Sequence, residues 1–180
     1  MKVKVLNGDK PLVHAMMRQR ARLFGPDGLN WDVNVVDGEE RDLLDHTASP
    51  VYIVATNNDN VVGSLRLLPT TGPTLLDSSF QEFESVESPE IWEMSRLCTE
   101  GTDSITRVFI LLQMFDKVGY IAKKAEVTSI IGVVAPNTLS FLRRLGLPVN
   151  ILSDHDSLLL ISMPLNDTHD KVVELLDRLI

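Results

Sequence analysis

Residues 104–134, SITRVFILLQMFDKVGYIAKKAEVTSIIGVV, decide the fold. Ile105, Val108, Phe109, Leu112 and Phe115 recur at helical spacing, and Ile110, Leu111 and Met114 cover the other side of the same helix. A helix that is apolar nearly all round belongs in an interior. After a short break comes the β-branched run Val127–Val134. Such a run suits a central strand covered on both faces. A buried helix leading into a buried strand predicts an α/β protein.

Towards the C-terminus, Pro136-Asn137 opens a short helix through Leu145, with Asn137 expected as N-cap and Gly146 as its end. Leu158–Met163 reads as a strand. Asp167 is expected to cap a last helix whose Val172, Val173, Leu176, Leu179 and Ile180 share one face. Towards the N-terminus, Ile91–Cys98 reads as a long strand. Val51–Thr56 and Val61–Leu67 flank Asn57-Asn58-Asp59-Asn60, which is a hairpin signal because Asn and Asp tolerate positive φ. Leu12 to Phe24 reads as a helix carrying Arg18, Arg20 and Arg22, stopped by Gly25-Pro26-Asp27-Gly28. Val3–Leu6 fits a short first strand. Between Gly28 and Pro50 the chain is polar, with Trp31 and Val33 as its few apolar anchors. That composition marks a functional loop, or one that is ordered by a ligand. The element order predicts one domain, residues 1–180, built as a three-layer αβα sandwich around a mixed sheet.

The whole chain sets bounds. It has 180 residues and a net charge of −8, which argues against non-specific nucleic-acid binding. No apolar run approaches the ~20 residues of a membrane span. The start MKVKVLNGDK lacks the apolar centre of a signal peptide, and the single cysteine, Cys98, has no internal disulfide partner. A cytoplasmic protein is expected, with no membrane partner. His14, His46, His155 and His169 are scattered, so no metal site is expected. Lys123–Lys124 and Arg143–Arg144 are basic pairs, either solvated helix ends or a docking patch for an acidic partner.

Three segments combine charge with probable strands. They are Arg20-x-x-x-Phe24 with Trp31, then Glu40-Arg41-Asp42-Leu43-Leu44-Asp45, then Arg66-Leu67-Leu68-Pro69-Thr70-Thr71 with Trp92-Glu93-Met94-Ser95-Arg96. Buried charges come in pairs, so the pattern predicts an internal ion-pair network or a lined cleft. Plain alternation along 93–96 would set Glu93 and Ser95 on one face and Arg96 on the other, unless a bulge intervenes. The plain structural alternatives are loop acids at Asp42 and Asp45, a hydrophobic clamp of Trp31 and Phe24, and an ion-pair role for Glu93.

The order Arg20, Phe24, Trp31, Asp42, Asp45, Arg66, Glu93, Arg96 resembles the signature blocks of the acyl-homoserine lactone synthases, the autoinducer synthases of bacterial quorum sensing. Phe80 also falls where that family tends to carry an aromatic. The resemblance implies an N-acetyltransferase-like fold. It also implies transfer of an acyl group from acyl carrier protein or acyl-coenzyme A to the amine of S-adenosylmethionine, which then lactonises and releases 5′-methylthioadenosine. S-adenosylmethionine would be a substrate, with no cofactor. Glu93, Arg96, Arg66 and Asp45 would be catalytic, with Glu93 as base. Arg20, Phe24, Trp31 and Asp42 would bind S-adenosylmethionine, and the aromatics suit its sulfonium. The acids would hold the ammonium or ribose, or pair with arginines. The arginines would fix those acids or grip the carboxylate. Phe80, Gly132, Phe141 and Leu142 would shape the acyl pocket. A small residue near Gly132 resembles members that use acyl groups unsubstituted at C3, where a Thr goes with 3-oxo chains. Fold relatives hold coenzyme A on a glycine-rich loop of pattern Q/R-x-x-G-x-G/A, which this sequence lacks. An N-acyltransferase of the same fold acting on another amine is the alternative.

Overall fold

A computed structural model describes residues 1–6, 10–25, 28 and 33–179. In chain order the elements are β1 (Lys2–Val5), α1 (Lys10–Phe24), β2 (Val35–Val36), β3 (Glu39–Glu40), α2 (Leu44–Thr47), β4 (Val51–Asn57), β5 (Asn60–Pro69), α3 (Leu75–Ser79), β6 (Ile91–Thr99), α4 (Ser104–Lys124), β7 (Ser129–Val134), α5 (Pro136–Arg144), β8 (Asn150–His155), β9 (Leu158–Pro164) and α6 (Leu165–Leu179). Seven strands form one sheet in the order β1-β4-β5-β6-β7-β9-β8. The β6–β7 pair is parallel and the others are antiparallel, so the sheet is mixed, as expected.

Burial sets the layers. On one face α4 and α6 cover Ile53, Leu65, Leu67, Ile130, Ile161 and Met163. On the other, Met16 and Met17 of α1 pack against Tyr52 and Val54. The helix quoted first is indeed interior: Leu112 and Met114 are wholly buried. The β4–β5 hairpin turns through Asn58 and Asp59, at φ 47° and 65°.

Three helical and strand details differ from expectation. Pro136 takes the first helical position of α5, which moves the N-cap back to Ala135; the Asn137 side-chain Oδ1 accepts instead from the Thr138 backbone N–H. Helix α6 begins at Leu165, so Asp167 lies in its first turn, where its charge suits the helix dipole. Strand β8 was not expected, because Asn150–His155 is an exposed edge strand without an apolar stripe. Ile180 lies outside the described residues.

One irregularity positions the site. Ser64 pairs with Cys98, but Arg66 pairs with Ser95, so β6 carries an extra residue. Arg96 occupies it at φ 54°. Met94 and Leu97 stay in the core under α4, while Ser95 and Arg96 both turn to the α1 face.

Candidate active site

Four chain segments meet on the α1 face in one buried, charge-balanced cluster. Arg20 comes from α1, Arg66 from β5 and Arg96 from the β6 bulge. Glu40 ends β3, Asp42 lies in the link that follows, and Asp45 sits in α2. Arg20 forks onto Asp45, with both bonds at 3.2 Å, and pairs with Glu40. Arg66 Nη1 donates to Asp42 at 2.7 Å and to Asp45 at 3.0 Å, and Arg66 Nε donates to the Ser95 hydroxyl at 3.1 Å. Arg96 donates to Glu40 at 3.0 Å and to Asp42 at 3.2 Å. Three guanidinium groups face three carboxylates, so the burial of each charge is offset by partners of opposite sign.

Asp45 is the hub. Burial by itself would raise its pKa, but Arg20, the Tyr52 hydroxyl at 2.6 Å and the Asp42 amide outweigh that and hold it at about 2. Burial, followed by the bond to Asp45, raises the Tyr52 pKa. The Phe24 ring lies 5.9 Å from the Arg96 guanidinium carbon, a cation–π contact at the cluster's edge. Arg66 Nη2 is buried and has no hydrogen-bond partner among the described residues.

Glu93 lies on the same face, two positions from Ser95, yet belongs to a different local structure. Its two carboxylate oxygens accept the backbone N–H groups of Leu75 and Leu76, at 3.2 and 3.0 Å. Thr74 and Asp77 form a reciprocal capping box that fixes this turn. Burial raises the Glu93 pKa, against the pull of the two amides and Arg66. Each oxygen keeps a lone pair for a further donor.

Beyond Glu93↔Ile131 the parallel strands β6 and β7 have no further paired positions. Gly132 lies just past that point; a Cβ there would stand 2.9 Å from the Met94 carbonyl oxygen. A cavity of about 490 Å³ opens between the far end of β6, the start of α4, and α5. Leu97, Leu111, Phe141 and Leu142 line it, together with Cys98. Burial pushes the Cys98 thiol up to about 11, and it contacts the Ser64 hydroxyl at 3.1 Å. A neutral buried thiol is a poor nucleophile.

The structure therefore brings Arg20, Asp42, Asp45, Arg66 and Arg96 together, with Phe24 alongside. Glu93 stands apart from them, anchored to α3. Phe141 and Leu142 reach the cavity, whereas Phe80 packs beside Leu68, Leu75 and Leu76 instead. Trp31 lies outside the described residues. Sequence reasoning gave no role to Glu40 or Tyr52. Glu40 stood inside the quoted acid block, and a polar hydroxyl in an otherwise apolar strand was the available signal at Tyr52.

Comparison with known proteins places these observations. The sequence model described as autoinducer synthase matches residues 6–172. The acyl-homoserine-lactone synthase of Rhizobium etli is 34% identical over 149 residues, 79% of this chain and 70% of that one. The crystal structure of the AHL synthase LasI superposes with a TM-score of 0.85 at 26% identity, covering 96% of this chain and 95% of that one. The CoA-dependent acyl-homoserine lactone synthase BjaI, solved with SAM and isopentyl-CoA, shares the fold at a TM-score of 0.81 and 20% identity, covering 98% and 88%.

Proposed function

The chain belongs to the autoinducer synthase family, and from that premise we propose how its own residues divide the work of acyl-homoserine-lactone synthesis. It is an acyltransferase that makes a quorum-sensing signal. The substrates are an acyl thioester and S-adenosylmethionine, and nothing in the reaction calls for a further cofactor.

Two bonds form. The α-amine of S-adenosylmethionine attacks the acyl carbon, and the thiolate leaves with the proton that the amine gave up. The methionyl carboxylate then attacks its own γ-carbon, the bond to the sulfonium breaks, and neutral methylthioadenosine departs. The amine must first lose a proton, so a fixed carboxylate with a raised pKa is the group required. Glu93 meets that description: it is buried, held by two amides, and shifted upward. Cys98, buried with its thiol pushed up to about 11, is unsuited to carry an acyl-enzyme.

The observation that carries this reading is the cluster itself, in which three quoted sequence blocks become one charge-balanced network, with Glu93 held separately by α3. Within it, Arg66 Nη2 and Arg20 Nε are donors without a partner among the described residues, and Arg66 Nη2 is assigned to the substrate carboxylate. Phe24 and Trp31 provide aromatic faces for the sulfonium. The absence of a side chain at Gly132, where a Cβ would crowd the Met94 carbonyl oxygen, goes with an acyl group unsubstituted at C3, as the family resemblance implies.

The test of these roles is Glu93→Gln, with S-adenosylmethionine binding and turnover measured on the same preparation. Turnover should fall at least about a hundredfold, with binding changed by less than about threefold. Near-normal turnover removes Glu93 from the base role.

A further inference from the structure

The cavity beside α4 is apolar within and charged only at its mouth, where Asp103 and Arg107 are its two charged lining residues. The start of a long helix ordinarily offers free N–H groups and a positive dipole end to an anion such as phosphate. Here that offer is already taken. Asp103 caps α4, accepting the Thr106 amide at 2.8 Å, the Thr106 hydroxyl at 2.8 Å and the Thr102 hydroxyl at 3.1 Å. These bonds hold its carboxyl below the usual carboxylate range, so it is ionised at neutral pH. Arg107 folds back to donate to the Gly101 carbonyl at 3.2 Å. The neighbouring acid, Glu100, is paired with Arg22 at 3.1 Å. The mouth thus presents one unpaired anion and one cation.

We propose that Asp103 is a donor-selecting residue, whose fixed carboxylate at the entrance of the cavity disfavours thioesters that bring a diphosphate and favours those carried on a phosphopantetheine arm with a single phosphodiester. The inference rests on the synthase reading and on entry of the donor through this cavity. A coenzyme A thioester brings a diphosphate and a ribose phosphate to a helix start that holds a negative charge. A carrier-bound arm brings one phosphodiester, which the single Arg107 is enough to balance. Repulsion at the mouth acts on donor binding rather than on the chemical step, so it reads in KM.

Asp103→Asn isolates the charge, because the amide oxygen still accepts the Thr106 N–H and keeps the cap. The experiment compares one acyl chain on carrier protein and on coenzyme A, for wild type and variant, at low and high salt. The variant should raise kcat/KM for the coenzyme A thioester about fivefold, the size of a like charge removed ~4 Å away at the dielectric of bulk water, through KM. The carrier-protein value should stay within about twofold, and the gain should shrink at high salt. Equal changes for both donors, or no change for either, overturn the role of Asp103. Asp103→Ser, which also caps, repeats the measurement if the asparagine variant is poorly folded. Absence of lactone from either donor with the wild-type protein would instead sink the synthase reading beneath it.

Discussion

Arg96 Nε donates to Glu40 at 3.0 Å across 56 positions of sequence, and it does so from a left-handed backbone, φ 54°, inside strand β6. A non-glycine residue adopts that conformation at a cost, so the surroundings must hold it there. Glu40 and Asp42 on one side, with the Phe24 ring on the other, supply that hold. The bulge and the ion pairs are therefore one device: each exists because of the other.

Removing Arg96 should expose that dependence. Arg96→Ala leaves the fully buried Glu40 short of a cation, and the loss should be about 3–5 kcal/mol in urea denaturation. Adding Glu40→Gln should recover part of it, since residues in one network are not additive. A loss under about 1 kcal/mol would mean that the pair does not hold the bulge.

Asp45 predicts an acid limit. Its folded pKa of about 2 lies below the unfolded value near 3.9. A depressed carboxylate contributes stability that is present above the unfolded pKa and disappears as pH falls through the folded one. The contribution is about 2–3 kcal/mol, fading between roughly pH 4 and pH 2. Asp45→Asn should flatten the stability profile across that window; an unchanged profile would contradict the assignment.

Which parts of this were legible in the sequence follows from physics. The interior helix α4 announced itself because apolar residues surround it, and the β4–β5 turn because Asn58 and Asp59 are among the few residues at ease with positive φ. The arginines and acids of the cluster could be picked out as types and spacings. Their pairing could not, since alternation alone sends Arg96 to the wrong face and only the bulge reverses it. Strand β8 was missed because an edge strand needs no apolar pattern, its ladder bonds to β9 being made by backbone. Asn137 and Asp167 lie two and three positions past the cap positions at their helix starts, where Pro136 and Leu165 set the boundary.

Gly132 predicts intolerance of even one methyl group. A Cβ there would stand 2.9 Å from the Met94 carbonyl oxygen, and that backbone cannot retreat without moving β6. Gly132→Ala should cost about 1–3 kcal/mol and lower kcat/KM. A variant with wild-type melting temperature and activity would show that the strands separate more freely than the packing implies.

Cys98 predicts inertness. Its thiol is buried and titrates near 11. Aromatic disulfide reagents should label it slowly in the folded protein and at once in denaturant. Cys98→Ala should retain most turnover. Rapid labelling of the folded protein, or abolished turnover, would reopen a covalent intermediate.

The most direct test of the whole account is to incubate the purified protein with S-adenosylmethionine and a panel of acyl thioesters, on carrier protein and on coenzyme A, and to follow both products by mass spectrometry. The account predicts acyl-homoserine lactone and 5′-methylthioadenosine in equal amounts. An acylated amine accumulating without methylthioadenosine would contradict it and identify an acyltransferase that does not close the lactone.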